Sequence, residues 1–367
     1  MVIAGGGQGG LCGNWRQVGG GGGAGGYRTG TTPFTTPTAV GMAVTVGMGG
    51  DGPSNSKRWF YGPDDPTQGV GGIKAGTSPG QPSGVVFPTT TITSDGGGAG
   101  GCPVTGEPYP SWPGPAEFAV FPTASYGWWS WWGGPGGSGG GMGGNRVPEP
   151  KYPTAAIYGR GNYFVDNLDA PMPGQGNDGG AVAQSPGSGG IQENLGLSGG
   201  GGGAGGAGGS PLPGPPSPPG RPAPQRVCGK GGDGIQLPTT FRNPLQLFAP
   251  GPGGNWYVAG GGEAGFSNQD EGNSPEGDWD DTTGGGAGYG GGGIANNWMN
   301  WEGMAGPSSP SPNGIVGVGS FTMNPESRGA NGTGSGGGGG RSFGPGTYSR
   351  TYGGWGGSGI VMIAYPA

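Results

Sequence analysis

The chain has 367 residues, 105 of them glycine and 40 proline, and its 15 basic and 21 acidic groups leave a net charge of −6. Ordinary domains carry roughly 7% Gly and 5% Pro, and here no stretch free of both exceeds the nine residues of Asn162–Ala170 and Ile294–Glu302. A mean α-helix takes about 11–12 residues, and an interior Gly or Pro costs roughly 1 or 3 kcal/mol, so an α-helical or doubly wound α/β protein is excluded.

In chain order, Val2-Ile3-Ala4 opens a short β element that runs into the first glycine run, 5–10, and a second run follows at 19–26. Ala43-Val44-Thr45-Val46 and Thr90-Thr91-Ile92-Thr93 carry β-branched residues beside Gly or Asp and read as short strands. Glycine runs return at 96–101, 133–144, 199–209, 260–262, 284–293, 334–340 and 353–359, broken by Ala, Ser or one larger residue. The tract 211–224 is proline-rich and predicts an exposed, stiff polyproline loop. Ile360-Val361-Met362-Ile363 is a last β element, which can lie beside Val2-Ile3-Ala4 and close the domain.

The recurring glycine run is an irregular internal repeat, with loops as its variable part. Collagen needs glycine in strict three-residue phase, which uninterrupted runs ignore. Disorder fits poorly with 12 Trp, 12 Tyr and 11 Phe and only 10% charged residues. Yet Leu, Ile, Val and Phe sum to 47 of 367, about 13%, too few for a conventional aliphatic core. A run of bare glycine has one ordered form that suits it, the extended left-handed helix with three residues per turn and about 3.1 Å rise. That helix makes no internal hydrogen bonds, so its amides must pair laterally with neighbours. The expected fold is non-α: one glycine-rich domain over 1–367, a polyglycine-II bundle or sandwich with short β-strands and long Gly/Pro/aromatic-rich loops.

Chemistry is sparse. The absence of histidine removes His-based acid–base work and nucleophile activation, and no cofactor motif appears, so no enzyme and no cofactor are expected. No Lys/Arg cluster offers a field for nucleic acid. The longest apolar stretch is far short of the roughly 20 residues of a membrane span, and the start lacks the pattern of a signal peptide. Cys12, Cys102 and Cys228 are too few and too scattered for a disulfide framework or zinc site, though one pair can form. Acids gather at 270–281, and Asp278, Asp280 and Asp281 are the best candidates for calcium. Their spacing does not match an EF-hand, and a solvated acidic loop is the simpler reading. Asn331-Gly332-Thr333 matches the glycosylation sequon, read here as chance. The strongest functional signal is aromatic: Trp128, Trp129, Trp131 and Trp132 stand within five residues, and Trp298 and Trp301 repeat the pattern on a smaller scale. Exposed indoles stack on sugar rings and anchor interfaces; the competing reading is that they cover glycine layers.

The opening Val2-Ile3-Ala4-Gly-Gly-Gly, the stretch Gly-Gly-Ala-Gly-Gly-Tyr-Arg-Thr-Gly at 22–30, and Val44-Thr45-Val46-Gly47 resemble glycine-rich virion domains of tailed bacteriophages, particularly marine phages of cyanobacteria. Thr91-Ile92-Thr93 before 96–101, Gly-Asp-Gly-Ile-Gln-Leu-Pro at 232–238, and Gly-Gly-Ser-Gly-Ile-Val-Met-Ile-Ala-Tyr-Pro at 356–366 fit as well. The tryptophan-rich loop and the proline tract depart from that pattern. The resemblance implies a virion structural protein, a tail-fibre or adhesin module at the particle surface, similar to adhesins with polyglycine-II sandwiches. Such adhesins attach through loops at the end of the bundle to a host cell-surface glycan or protein. The alternative is a self-assembling structural protein, a capsid decoration or extracellular filament subunit, whose loops contact other virion proteins or copies of itself.

Overall fold

The computed structural model describes residues 1–10, 17–33, 41–50, 78–101, 133–134, 136–145, 163–164, 167–171, 174–181, 197–212, 227–241, 253, 255–265, 286–295, 328–340 and 353–364. Among them no residue is α-helical, and the strands are short and pair antiparallel. β1 (Val2–Ile3) lies between β3 (Tyr27–Arg28) and β12 (Ile360–Val361), with Val2 opposite both Arg28 and Val361. The two β elements expected to meet across the domain therefore do so. β4 (Ala43–Thr45), β5 (Ser83–Val86) and β6 (Thr91–Ser94) form a second three-stranded sheet. Its outer strands are the two stretches whose β-branched residues predicted them. Two-stranded pairs are β2 (Gln17–Val18) with β7 (Gly144–Asn145), β8 (Tyr163–Phe164) with β9 (Asn167–Pro171), and β10 (Ile235–Gln236) with β11 (Tyr257–Val258).

Most of the glycine runs lie outside these strands and bond laterally, with a period of three residues. In segment 4–10, Ala4, Gly7 and Gly10 donate to the carbonyls of Gly26, Gly23 and Gly20; Gly5 and Gln8 donate to Gln81 and Ser78; Gly6 and Gly9 donate to Gly357 and Gly354. The N···O distances are 2.7 to 3.1 Å. Successive amides thus address three different neighbours in turn.

Segment 19–26 is surrounded. Its amides donate to three segments: Gly19, Gly22 and Gly25 to 334–340, Gly20, Gly23 and Gly26 to 95–101, and Gly21 and Ala24 to 199–202. Its carbonyls accept from three more: 4–10, then Ser138 and Gly141, then Gly262 and Gly265. Those six neighbours also bond to one another around it. The ring closes through Gly97 to Gly5, Gly98 to Ser138, Gly199 to Met142, Gly201 to Gly262, Gly336 to Gly260 and Gly337 to Gly7, written donor first.

Close backbone approach is what requires glycine here. A Cβ built on Gly201 would sit inside the contact distance of the Gly22 carbonyl, with Gly23 N close behind. Interior apolar side chains are consequently few, and most of them collect where the segments end. Met1, Ile3, Ala24, Leu237, Val258 and Ala259 form one buried cluster, flanked by Tyr27, Phe241 and Trp256. Val2, Val85 and Phe87 form a second, and Leu197, Cys228, Ala264 and Ala295 a third.

Candidate functional site

The glycine array has two distinguishable ends, set by which amides share a cross-section. At one, Gly26 donates to Asp95, Gly25 to Gly334, Ala204 to Ala259 and Ala259 to Thr333, and the sheet of β12, β1 and β3 continues directly from these residues. At the other, Gly10 donates to Gly20, Gly20 to Gly101, Gly101 to Gly141, Gly340 to Gly10 and Gly265 to Gly19. Ser198 Oγ lies within hydrogen-bond distance of the carbonyls of both Gly19 and Gly265, at 2.8 and 2.7 Å, and its one proton is shared between them at this second end.

Most of the described residues that flank the candidate loops gather at this second end; Arg328, which follows 296–327, stands nearer the first, since its neighbour Gly329 lies against Ser335 and Gly357. Gly101 precedes 102–132, and Gly134, close after it, donates to Ala99 and accepts from Gly140. Gly265 precedes 266–285. Ala295 precedes 296–327 and packs with Leu197, Cys228 and Ala264. Leu212 and Val227 bracket 213–226 through an isolated antiparallel bridge. Trp128, Trp129, Trp131, Trp132, Trp298 and Trp301 themselves lie outside the described residues, as do Asp278, Asp280, Asp281, Cys12 and Cys102. Of the proline tract, Pro211 is buried and Leu212 exposed, and the rest lies outside.

Two aromatic clusters among the described residues have no counterpart in the sequence reading. Tyr257 and Tyr289 stand 6.2 Å apart between ring centroids, tilted by 45°. Lys230 Nζ lies 5.0 Å over the Tyr289 ring and 2.8 Å from Asp233 Oδ1. Tyr289 reaches the surface from a turn in which Gly290 and Gly291 both take left-handed φ, +97° and +98°. The second cluster stacks the Arg328 guanidinium 4.2 Å over Trp355. Neither was visible beforehand, because each joins residues more than 25 positions apart or sits in a run that reads only as glycine.

The sequon is not presented as a unit: Asn331 is exposed, but Thr333 is buried and its hydroxyl is engaged by Ala330 O and Ser335 Oγ. Among the described residues no three His, Cys, Asp or Glu groups come together to hold a metal, and no helix is long and apolar enough to cross a membrane. No family model, no curated protein and no solved structure matches the chain.

Proposed function

We propose that this protein is a virion structural protein, a tail-fibre or adhesin module that attaches to a host-surface glycan or protein through loops on a polyglycine-II sandwich, without enzymatic activity. The three-residue cycle of bonding partners along 4–10 and 19–26 supports the polyglycine-II part, since a helix with three residues per turn presents successive amides to three sides. The single observation that carries the functional part is the gathering of Gly101, Gly134, Gly265 and Ala295 at one end of a rigid array. Binding residues collect on loops held by such scaffolds, and the tryptophan-bearing stretches 102–132 and 296–327 start from that end. A stacked ring contributes about 0.5–1.5 kcal/mol beyond its buried area, so attachment rests on several rings together or on several copies per particle acting by avidity.

The test compares wild type with a Trp129→Ala/Trp131→Ala double variant for melting temperature and for adsorption to host cells. Lost adsorption with unchanged melting supports the reading. Lost folding assigns these rings to the core, and unchanged adsorption removes them from the binding surface. Absence of the chain from purified particles by mass spectrometry overturns the virion assignment. Filaments or ordered clusters in micrographs of the isolated protein favour self-assembly instead.

A further inference from the structure

Glu263 is an acid placed inside a glycine segment. It is 5% exposed, in segment 259–265, and its own amide donates to Gly293 while its carbonyl accepts from Gly339. No cation pairs with it among the described residues. Its carboxylate instead accepts two backbone amides: Gly286 N–H at Oε1, 2.9 Å, and Ala295 N–H at Oε2, 2.8 Å. These two amides are the two described ends of segment 286–295, which reverses direction through Tyr289, Gly290 and Gly291. One side chain therefore ties both feet of one reversal.

The geometry points to an acid-sensitive clasp: the Glu263 carboxylate holds the 286–295 reversal against the array, and protonating it releases that reversal while the central segments stay closed. Only an ionised carboxylate offers an acceptor on each oxygen. A protonated acid or a glutamine turns one oxygen position into a donor that faces an amide donor, and a buried unpaired donor is costly. The reversal is otherwise attached by Gly288 to Gly261, Gly293 to Gly336, the carbonyls of Gly286, Tyr289, Gly291 and Gly293, the Ser335 hydroxyl on the Gly290 carbonyl, and the Tyr289 amide on Asp233 Oδ1. Among the described residues of the elements packed around Glu263, the charged groups are Lys230 and Asp233 of 227–234, which pair with each other and also reach the reversal, Lys230 over the Tyr289 ring and Asp233 through the Tyr289 amide; the other titratable groups are Cys228, packed with Ala264 and Ala295, and Tyr289 itself. Segments 19–26, 199–204 and 334–340 carry none.

The experiment is amide hydrogen exchange on the full chain, wild type, Glu263→Gln and Glu263→Asp, followed over pH and corrected for intrinsic exchange chemistry. Glu263→Gln is expected to raise exchange across 286–295 by about tenfold or more at neutral pH, with 19–26 unchanged. Wild type is expected to reach the same exchange on acidification, whereas Glu263→Gln shows no further acid response there. Glu263→Asp, too short to span both amides, is expected to fall between. Should Glu263→Gln fail to fold, the acid series of wild type and Glu263→Asp decide together: selective opening of 286–295 that differs between the two supports the clasp, and identical series overturn it. The proposal is overturned if 286–295 stays protected in acid, if exchange rises equally in 19–26, or if Glu263→Gln retains a full acid response.

Discussion

A single methyl group separates two classes of glycine in this chain. At Gly201 the added carbon would meet the Gly22 carbonyl, whereas at Gly41 it would meet nothing within 4 Å. Gly201→Ala is therefore expected to cost about 3 kcal/mol, the scale of overpacking where no rotamer can relieve the clash. Gly41→Ala is expected to be neutral or to gain about 0.4–1 kcal/mol by restricting the unfolded chain. Urea denaturation of both variants checks the pair, and equal effects would contradict backbone-on-backbone packing. Ser83 makes a second residue-scale case, because its hydroxyl accepts the buried Gly47 N–H at 2.8 Å. Ser83→Ala leaves that amide unpaired and is expected to lower stability by about 1–3 kcal/mol. Tyr27 carries the pH dependence. Burial pushes its phenol above the ordinary value of 10.0. In the window between the unfolded and folded values the unfolded chain binds fewer protons, so stability is complete below about pH 10 and falls as pH rises further. Alkaline melting curves of Tyr27→Phe, which has no phenol to ionise, are expected to lose less over that window.

At the level of elements, legibility followed side chains. β1, β12, β4 and β6 were visible because Val, Ile and Thr mark them. β5 was not, although it is the central strand of its sheet. It holds Gly84 mid-strand between Pro82 and Pro88, and only its buried pair Ser83 and Val85 alternates with less buried neighbours. Composition also implied that the glycine runs pair laterally, and that is how they bond. Which run sits beside which was not legible, since a glycine has no side chain with which to encode its partner. Gln8 and Glu263 show the same limit from the other side. Each interrupts a run and reads as a blemish, yet Gln8 Oε1 accepts the Ser78 amide across 70 positions, and Glu263 reaches two amides over 20 residues further on. The tryptophan loops, legible from composition alone, fall outside the described residues, so their part in the site rests on where their flanks stand.

Over the whole molecule, helix content is expected to be negligible, and far-UV circular dichroism with a helical signature would contradict the array. Protection should be graded by position: 19–26, bonded on six sides, is expected to exchange only on global unfolding, and peripheral segments such as 205–209 much sooner. The encircling of 19–26 also sets an order of events in time. Its six partners begin at residue 4 and end at residue 340, so this core segment, made early, waits for the last of them. Nearly every bond in the array joins residues far apart in the chain, and loop closure must precede the reward. Folding from denaturant is accordingly expected on the slow side of the range for single domains, milliseconds to seconds or longer. A nascent chain that has not yet reached residue 340 holds a centre with an open wall. Until then its amides are offered to whatever backbone comes near, a second unfinished chain included.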